Sequence, residues 1–102
     1  MKSLAPERDG LWLQVGRAIL FFDGDSDLAK AVCRRAIAAL TVKDFVKTQQ
    51  QTWDIVDVYA MKLEDKAGWM MKLYIDKETQ VTVISFHPLE RPIKTNGGWV
   101  RP

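Results

Sequence analysis

The chain is poor in the residues that most often carry chemistry: its 102 residues include one cysteine, Cys33, and one histidine, His87. A lone cysteine excludes an internal disulfide, and one thiol with one imidazole leaves no thiolate cluster for a metal. There is no glycine-rich phosphate loop and no dinucleotide fingerprint. Neither Ser26 nor Ser85 stands in the glycine-flanked setting of a nucleophile elbow. The apolar run from Ala18 to Phe22 is far shorter than the roughly 20 residues of a spanning helix, and the first residues lack the apolar centre of a signal peptide. These absences predict a cytoplasmic protein with no membrane partner. A strong charge of one sign is missing too: 15 Lys and Arg against 13 Asp and Glu give a net charge of +2, which by itself does not establish nucleic-acid binding. Internal repeats are absent, and the only low-complexity tract is Gln49-Gln50-Gln51.

What is present fits one folded domain over residues 1–102. With 47% hydrophobic and 10% aromatic residues, the chain can fill a modest core. Residues 1–10 read as a flexible arm and residues 95–102 as a C-terminal tail. Leu11, Trp12, Val15, Ala18, Ile19 and Phe22 recur at helical spacing and predict an amphipathic helix, weakened at Gly16. The alternative is a helix ending near Gly16 and followed by a short extended piece. Phe22-Asp23-Gly24-Asp25 is a turn signal, and Asp25, Ser26 or Asp27 can cap the helix that follows. Its apolar stripe is Leu28, Val32, Cys33, Ala36, Ile37 and Leu40, with Lys30, Arg34 and Arg35 on the solvated side. Thr41 and Asp44 make a capping box with aspartate in the usual glutamate position. They predict a short helix from Val42 to about Thr48, with Lys47 near its C-terminal end.

Trp53 to Leu63 reads as a strand. Trp69 to Ile75 and Gln80 to Phe86 read as a hairpin, because the second run is rich in β-branched residues and the polar Asp76-Lys77-Glu78-Thr79 separates the two. By strict alternation Val81, Val83, Ser85 and His87 share one face, and Pro88, which lacks an N–H, ends the paired strand. Asn96-Gly97-Gly98 is a further turn before Trp99-Val100, which can form one more edge strand. The order predicts an α+β fold: N-terminal helices packed on one face of a small antiparallel β-sheet. Cys33 is expected in the core, and the four tryptophans in the core or an interface.

One histidine among lysines and arginines suits acid–base chemistry that needs no cofactor. Histidine titrates near working pH in its ordinary setting. RNA backbone cleavage needs one group to deprotonate the 2′-hydroxyl, one to protonate the leaving oxygen, and cations for the charge that develops on phosphorus oxygens.

Several short runs, taken in order over about Arg17 to His87, resemble the MqsR family of toxins from bacterial toxin–antitoxin systems. Arg17-Ala18-Ile19-Leu20 is similar to the family's Arg-Ser-Ala-Leu. Leu40-Thr41 and Asp44-Phe45-Val46-Lys47-Thr48 are similar to its Leu-Ser and Asp-Phe-Tyr-Lys-Ser. Asp57-Val58-Tyr59 resembles the end of Trp-Gln-Asp-Val-Tyr, Lys72 falls in a strand like Tyr-Leu-Lys, and Val83-Ile84-Ser85-Phe86 resembles Ile-Val-Ser-Phe. The resemblance implies a RelE-like fold, ribosome-independent mRNA cleavage without a cofactor, and a protein antitoxin that doubles as a transcriptional repressor. It implies catalysis by His87, Lys72 and Lys47 and RNA binding by Tyr74 and Arg17; Arg91 and Lys94, in the basic stretch beyond the resemblance, are expected to hold the RNA backbone. His87 stands where the family carries a lysine, although more divergent members keep Ser-Phe-His there. The family's glutamine is Val56 here, and its tyrosine is Met70, unless Tyr74 takes over from further along. The alternative to a nuclease is a non-catalytic module of the same fold that binds a protein or nucleic acid.

Overall fold

The computed structural model describes residues 11–13, 16–51, 54–63, 66–75 and 81–102. The expected flexible arm at 1–10 and the expected turn at 76–79 lie outside them. Two long antiparallel strands, β4 (Gly68–Ile75) and β5 (Val81–Pro88), form the centre. β3 (Asp54–Lys62) pairs antiparallel with β4, and β2 (Phe45–Gln51) with β3. β1 (Leu11–Leu13) adds a parallel edge beside β5, giving the order β1-β5-β4-β3-β2. The helices α1 (Gly16–Ile19) and α2 (Ser26–Ala39) pack on one face. This is the expected α+β arrangement.

The helix-side core joins Ala18, Ala29, Cys33 and Ala36 to Met61, Trp69, Met71, Leu73, Val83 and Phe86. Small residues on the helices let the backbone approach the sheet closely, and the bulk comes from the strands. Trp69 stacks at 4.7 Å on Phe86 and meets Phe21 and Phe22, each at 5.8 Å. The expected stripe of α2 holds at Cys33 and Ala36, which are buried, and at Val32, Ile37 and Leu40, which pack against the core; at its first turn Ala29 is buried in place of Leu28, which is 44% exposed. Asp25 is the cap, its Oδ1 accepting from the Leu28 N–H at 3.0 Å. The preceding turn is left-handed at Asp23 and Gly24.

The helix expected over residues 11–22 is corrected. Leu11–Leu13 is extended, and helix begins only at Gly16. The proposed alternative is reversed as well, because the extended piece precedes Gly16. Pairing with Val81, Thr82 and Val83 gives this segment backbone partners that outweigh a weak helical pattern. The helix expected from Val42 to Thr48 is also corrected. The capping box is present, with Thr41 N–H donating to Asp44 Oδ2 at 3.0 Å and Lys43 N–H to Thr41 Oγ1 at 3.2 Å. It closes one 3-10 turn, Val42–Asp44, after which Phe45 enters β2. Lys47 is therefore a strand residue and not the end of a helix.

Two β-bulges decide which side chains face away from the helices. On β2, Phe45 pairs with Tyr59 and Lys47 with Val58, so Val46 has no partner. On β5, Lys72 pairs with Ser85 and Leu73 with Val83, so Ile84 has none. An extra residue resets the alternation beyond it. Strict alternation across residues 81–87 is corrected accordingly: Val81, Val83 and Phe86 share the helix side, and Thr82, Ser85 and His87 the opposite side. The pairing also continues one residue beyond the expected end, to Pro88 opposite Trp69.

The turn expected at Asn96-Gly97-Gly98 and the strand expected at Trp99-Val100 are both present in the C-terminal tail. A hairpin of β6 (Ile93–Thr95) and β7 (Gly98–Val100) packs over β3 on the side away from the helices, where Val56, Val58 and Ala60 are buried. Its Asn96-Gly97 turn is pinned by hydrogen bonds: Asn96 N–H to the Phe45 carbonyl at 3.0 Å, Gly97 N–H to the Lys43 carbonyl at 2.8 Å, and Asn96 Nδ2 to the Val42 carbonyl at 3.0 Å. The chain end passes so close to Gly68 that a Cβ there would run into the Arg101 carbonyl oxygen. Of the four tryptophans expected in the core or an interface, Trp69 is buried and Trp99 is 62% exposed on the outer face of the hairpin, while the side chains of Trp12 and Trp53 lie outside those described.

Candidate functional site

The face opposite the helices carries a cavity of about 500 Å³ between the sheet and the hairpin of β6 and β7. Val58 and Met70 supply apolar surface, with Val46, Leu89 and Ile93. Lys47, Lys72, His87, Arg91 and Arg17 all line it. They come from β2, β4, β5, the bend after β5, and α1. Three of them are delivered by strand register. Lys47 follows the bulge at Val46 and pairs with Val58, which pairs in turn with Lys72. His87 follows the bulge at Ile84 and pairs with Met70, two residues from Lys72 on the same face.

Two predicted residues stand apart. Tyr74 is on the same face of β4, but a further two residues along, about 7 Å at strand rise, and does not line the cavity. Lys94 pairs with Trp99 on the exposed face of the hairpin, turned away from β3. Two further residues line the cavity that the sequence reading did not single out. Glu90 is the carboxylate among the lining residues. Gln49 pairs with Val56, so a glutamine reaches this face from the neighbouring strand although Val56 cannot supply one. Gln49 stands in the Gln49-Gln50-Gln51 tract, and Glu90 is a lone carboxylate in a basic stretch. The signal available for Glu90 was its spacing three residues after the only histidine.

His87 is half-buried and its ring is held. Nδ1 lies 2.9 Å from the Pro88 carbonyl oxygen. A carbonyl oxygen only accepts, so Nδ1 carries the proton, and Nε2 is left to take or give one. Around it, four cations and one carboxylate share the cavity, a concentration of positive charge that the net charge of +2 conceals. Such a cluster favours an anion with several oxygens, and a phosphodiester backbone fits it.

Other reactive groups lie elsewhere. Burial pushes the Cys33 thiol from its ordinary 9.0 to about 12, as expected of an inert core residue. Tyr59 is raised by burial and then by the neighbouring Asp57, but it lies on the helix side against Phe45. A second cleft, of about 270 Å³, runs between α2 and the end of β3, lined by Phe22, Val32, Ala36 and Leu63 with Arg35 and Lys62. Among the described residues, no histidine or carboxylate lines it. Among the described residues no three His, Cys, Asp or Glu side chains are placed to hold a metal ion, and no helix is long and apolar enough to cross a membrane. Comparison of the chain with protein-family models, with curated proteins and with solved structures gives no match to any of the three.

Proposed function

We propose that the protein is a metal-independent endoribonuclease that cleaves mRNA by acid–base catalysis, and that it acts as the toxin of a type II toxin–antitoxin pair. The observation that carries this reading is the convergence of His87, Lys72, Lys47, Arg91 and Arg17 on one cavity. Lys72 and Lys47 hold the phosphate and offset the charge that grows on its oxygens in the transition state. Arg91 and Arg17 hold the adjoining backbone, and His87 exchanges a proton through Nε2. This function needs no cofactor, belongs in the cytoplasm, and calls for a cognate antitoxin protein that keeps the RNA out of the cavity or the toxin silent.

The test is cleavage of a single-stranded RNA by purified protein in excess chelator. Wild type cuts, and His87→Ala loses about 100-fold or more. Full activity in that variant removes His87 from the mechanism.

One observation favours a second reading, a non-catalytic module that binds RNA or a protein. Val56, at the position of the related family's glutamine, is 0% exposed beneath the hairpin and offers no polar group. A cationic cavity without turnover would then bind RNA, and expression of the wild type would leave growth unchanged. Growth arrest relieved by His87→Ala decides for the nuclease.

A further inference from the structure

We propose that Glu90 is the general base of the cleavage step and His87 its general acid; this rests on the nuclease reading above. The cavity lining limits the choices. In their charged forms ammonium and guanidinium groups have no lone pair to offer, so as cations Lys47, Lys72, Arg17 and Arg91 cannot accept the proton of a hydroxyl. Among the described lining residues only Glu90 and His87 can. The other end of the step needs a donor that parts with its proton near neutral pH. A guanidinium does not deprotonate in proteins, and an ammonium does so poorly, whereas an imidazolium does so readily. One group cannot serve both ends of an in-line displacement at once, because the entering and leaving oxygens lie on opposite sides of phosphorus. An ionised carboxylate accepts and does not donate. That gives the base to Glu90 and the acid to His87.

The geometry agrees. Leu89 is buried and its N–H donates to the Gly68 carbonyl at 2.9 Å, which anchors the chain between the two groups. Glu90 then leaves the sheet at an exposed bend on the cavity rim. His87 remains at the strand end, half-buried, with Nδ1 occupied by the Pro88 carbonyl and Nε2 as its working nitrogen.

The step balances as follows. The Glu90 carboxylate takes the 2′-hydroxyl proton, and O2′ forms a bond to phosphorus. The bond from phosphorus to O5′ breaks, and O5′ takes the Nε2 proton of the His87 imidazolium. The products are a 2′,3′-cyclic phosphate and a 5′-hydroxyl, and both groups reset by proton exchange with water. The substrate must therefore carry a 2′-hydroxyl at the cut; DNA, or RNA with one 2′-deoxy nucleotide there, is bound but not cut.

The test uses the full chain in chelator with two oligoribonucleotides. One is ordinary, and one has sulfur in place of the bridging O5′ at the cut, so that a thiolate leaves without needing a proton. On the ordinary strand Glu90→Gln and His87→Ala each lose about 100-fold or more. On the sulfur strand His87→Ala returns to within about 10-fold of wild type, and Glu90→Gln does not. Glu90 is exposed, so its variant should melt with wild type. A wild-type rate in Glu90→Gln, or rescue of Glu90→Gln in place of His87→Ala, overturns the assignment while leaving the nuclease intact. No cleavage of any RNA by wild type overturns the nuclease reading and this one with it.

Discussion

Deleting Ile84 from the middle of β5 should leave a folded protein with its cavity in place. A one-residue deletion in a central strand ordinarily turns every side chain beyond it to the other face. Ile84 is different because it has no partner on β4: Leu73 pairs with Val83 and Lys72 with Ser85. Removing it makes Val83 and Ser85 consecutive, so Val81, Val83 and Phe86 keep the helix side and Ser85 and His87 keep the cavity. The loss is one half-buried isoleucine, about 1 kcal/mol when full burial is worth about 1.5–3. The local twist of β5 changes with it. A cost of about 1 kcal/mol lowers Tm by roughly 4–8 °C in a domain of this size. Deletion of Val58 is the control, since β3 has no unpaired residue in its register with β4. There the slip puts Asp57 into the buried place of Val58. Lost apolar burial and a desolvated carboxylate together cost on the order of 5 kcal/mol, comparable with the whole stability of a small domain. Thermal unfolding by circular dichroism, with RNA cleavage as a readout of the site, compares the two. Deletion of Ile84 unfolding as badly as deletion of Val58 would refute the bulge argument.

Two further outcomes follow from the core and the close contact at Gly68. Because the folded Cys33 thiol titrates at about 12 and the ordinary thiol at 9.0, the unfolded chain releases this proton first. Its stabilising contribution is complete below pH 9 and is lost as pH rises toward 12, by up to about 1.4 kcal/mol per pH unit; Cys33→Ala should flatten that alkaline slope in chemical denaturation. Gly68→Ala forces the Arg101 carbonyl away and should loosen the chain end, lowering Tm and raising amide exchange at Leu89, whose N–H bonds to the Gly68 carbonyl.

The elements that local chemistry specifies were legible. The β-branched run at residues 81–84 and its polar link gave the hairpin of β4 and β5. Asp25 gave the start of α2, Thr41 and Asp44 gave a capping box, and Asn96-Gly97 gave the turn between β6 and β7. What failed was what depends on a distant partner. Nothing local separates a helical 11–22 from a strand at Leu11–Leu13 that exists because β5 lies beside it. The bulges at Val46 and Ile84 carry no sequence mark, and so a strict period of two misassigns the face of Val83 relative to His87. For the site, chemistry alone gave His87 with lysines and arginines. Its partition into Lys47, Lys72, Arg91 and Arg17 at the cavity, with Lys94 and Tyr74 outside, needed the register. A single carboxylate such as Glu90 in a basic stretch reads as charge balance until it is found lining the same cavity as the histidine.

The most direct measurement compares metal-free RNA cleavage by wild type, Lys72→Ala and Lys94→Ala. Both substitutions remove one positive charge, but Lys72 lines the cavity and Lys94 faces solvent on the far side of the hairpin. The account predicts that Lys72→Ala loses about 100-fold or more in rate, and that Lys94→Ala stays within about 3-fold of wild type, its effect limited to a small change in RNA affinity with salt. Equal losses in the two variants, or a greater loss in Lys94→Ala, would contradict the claim that the cavity is where RNA reacts.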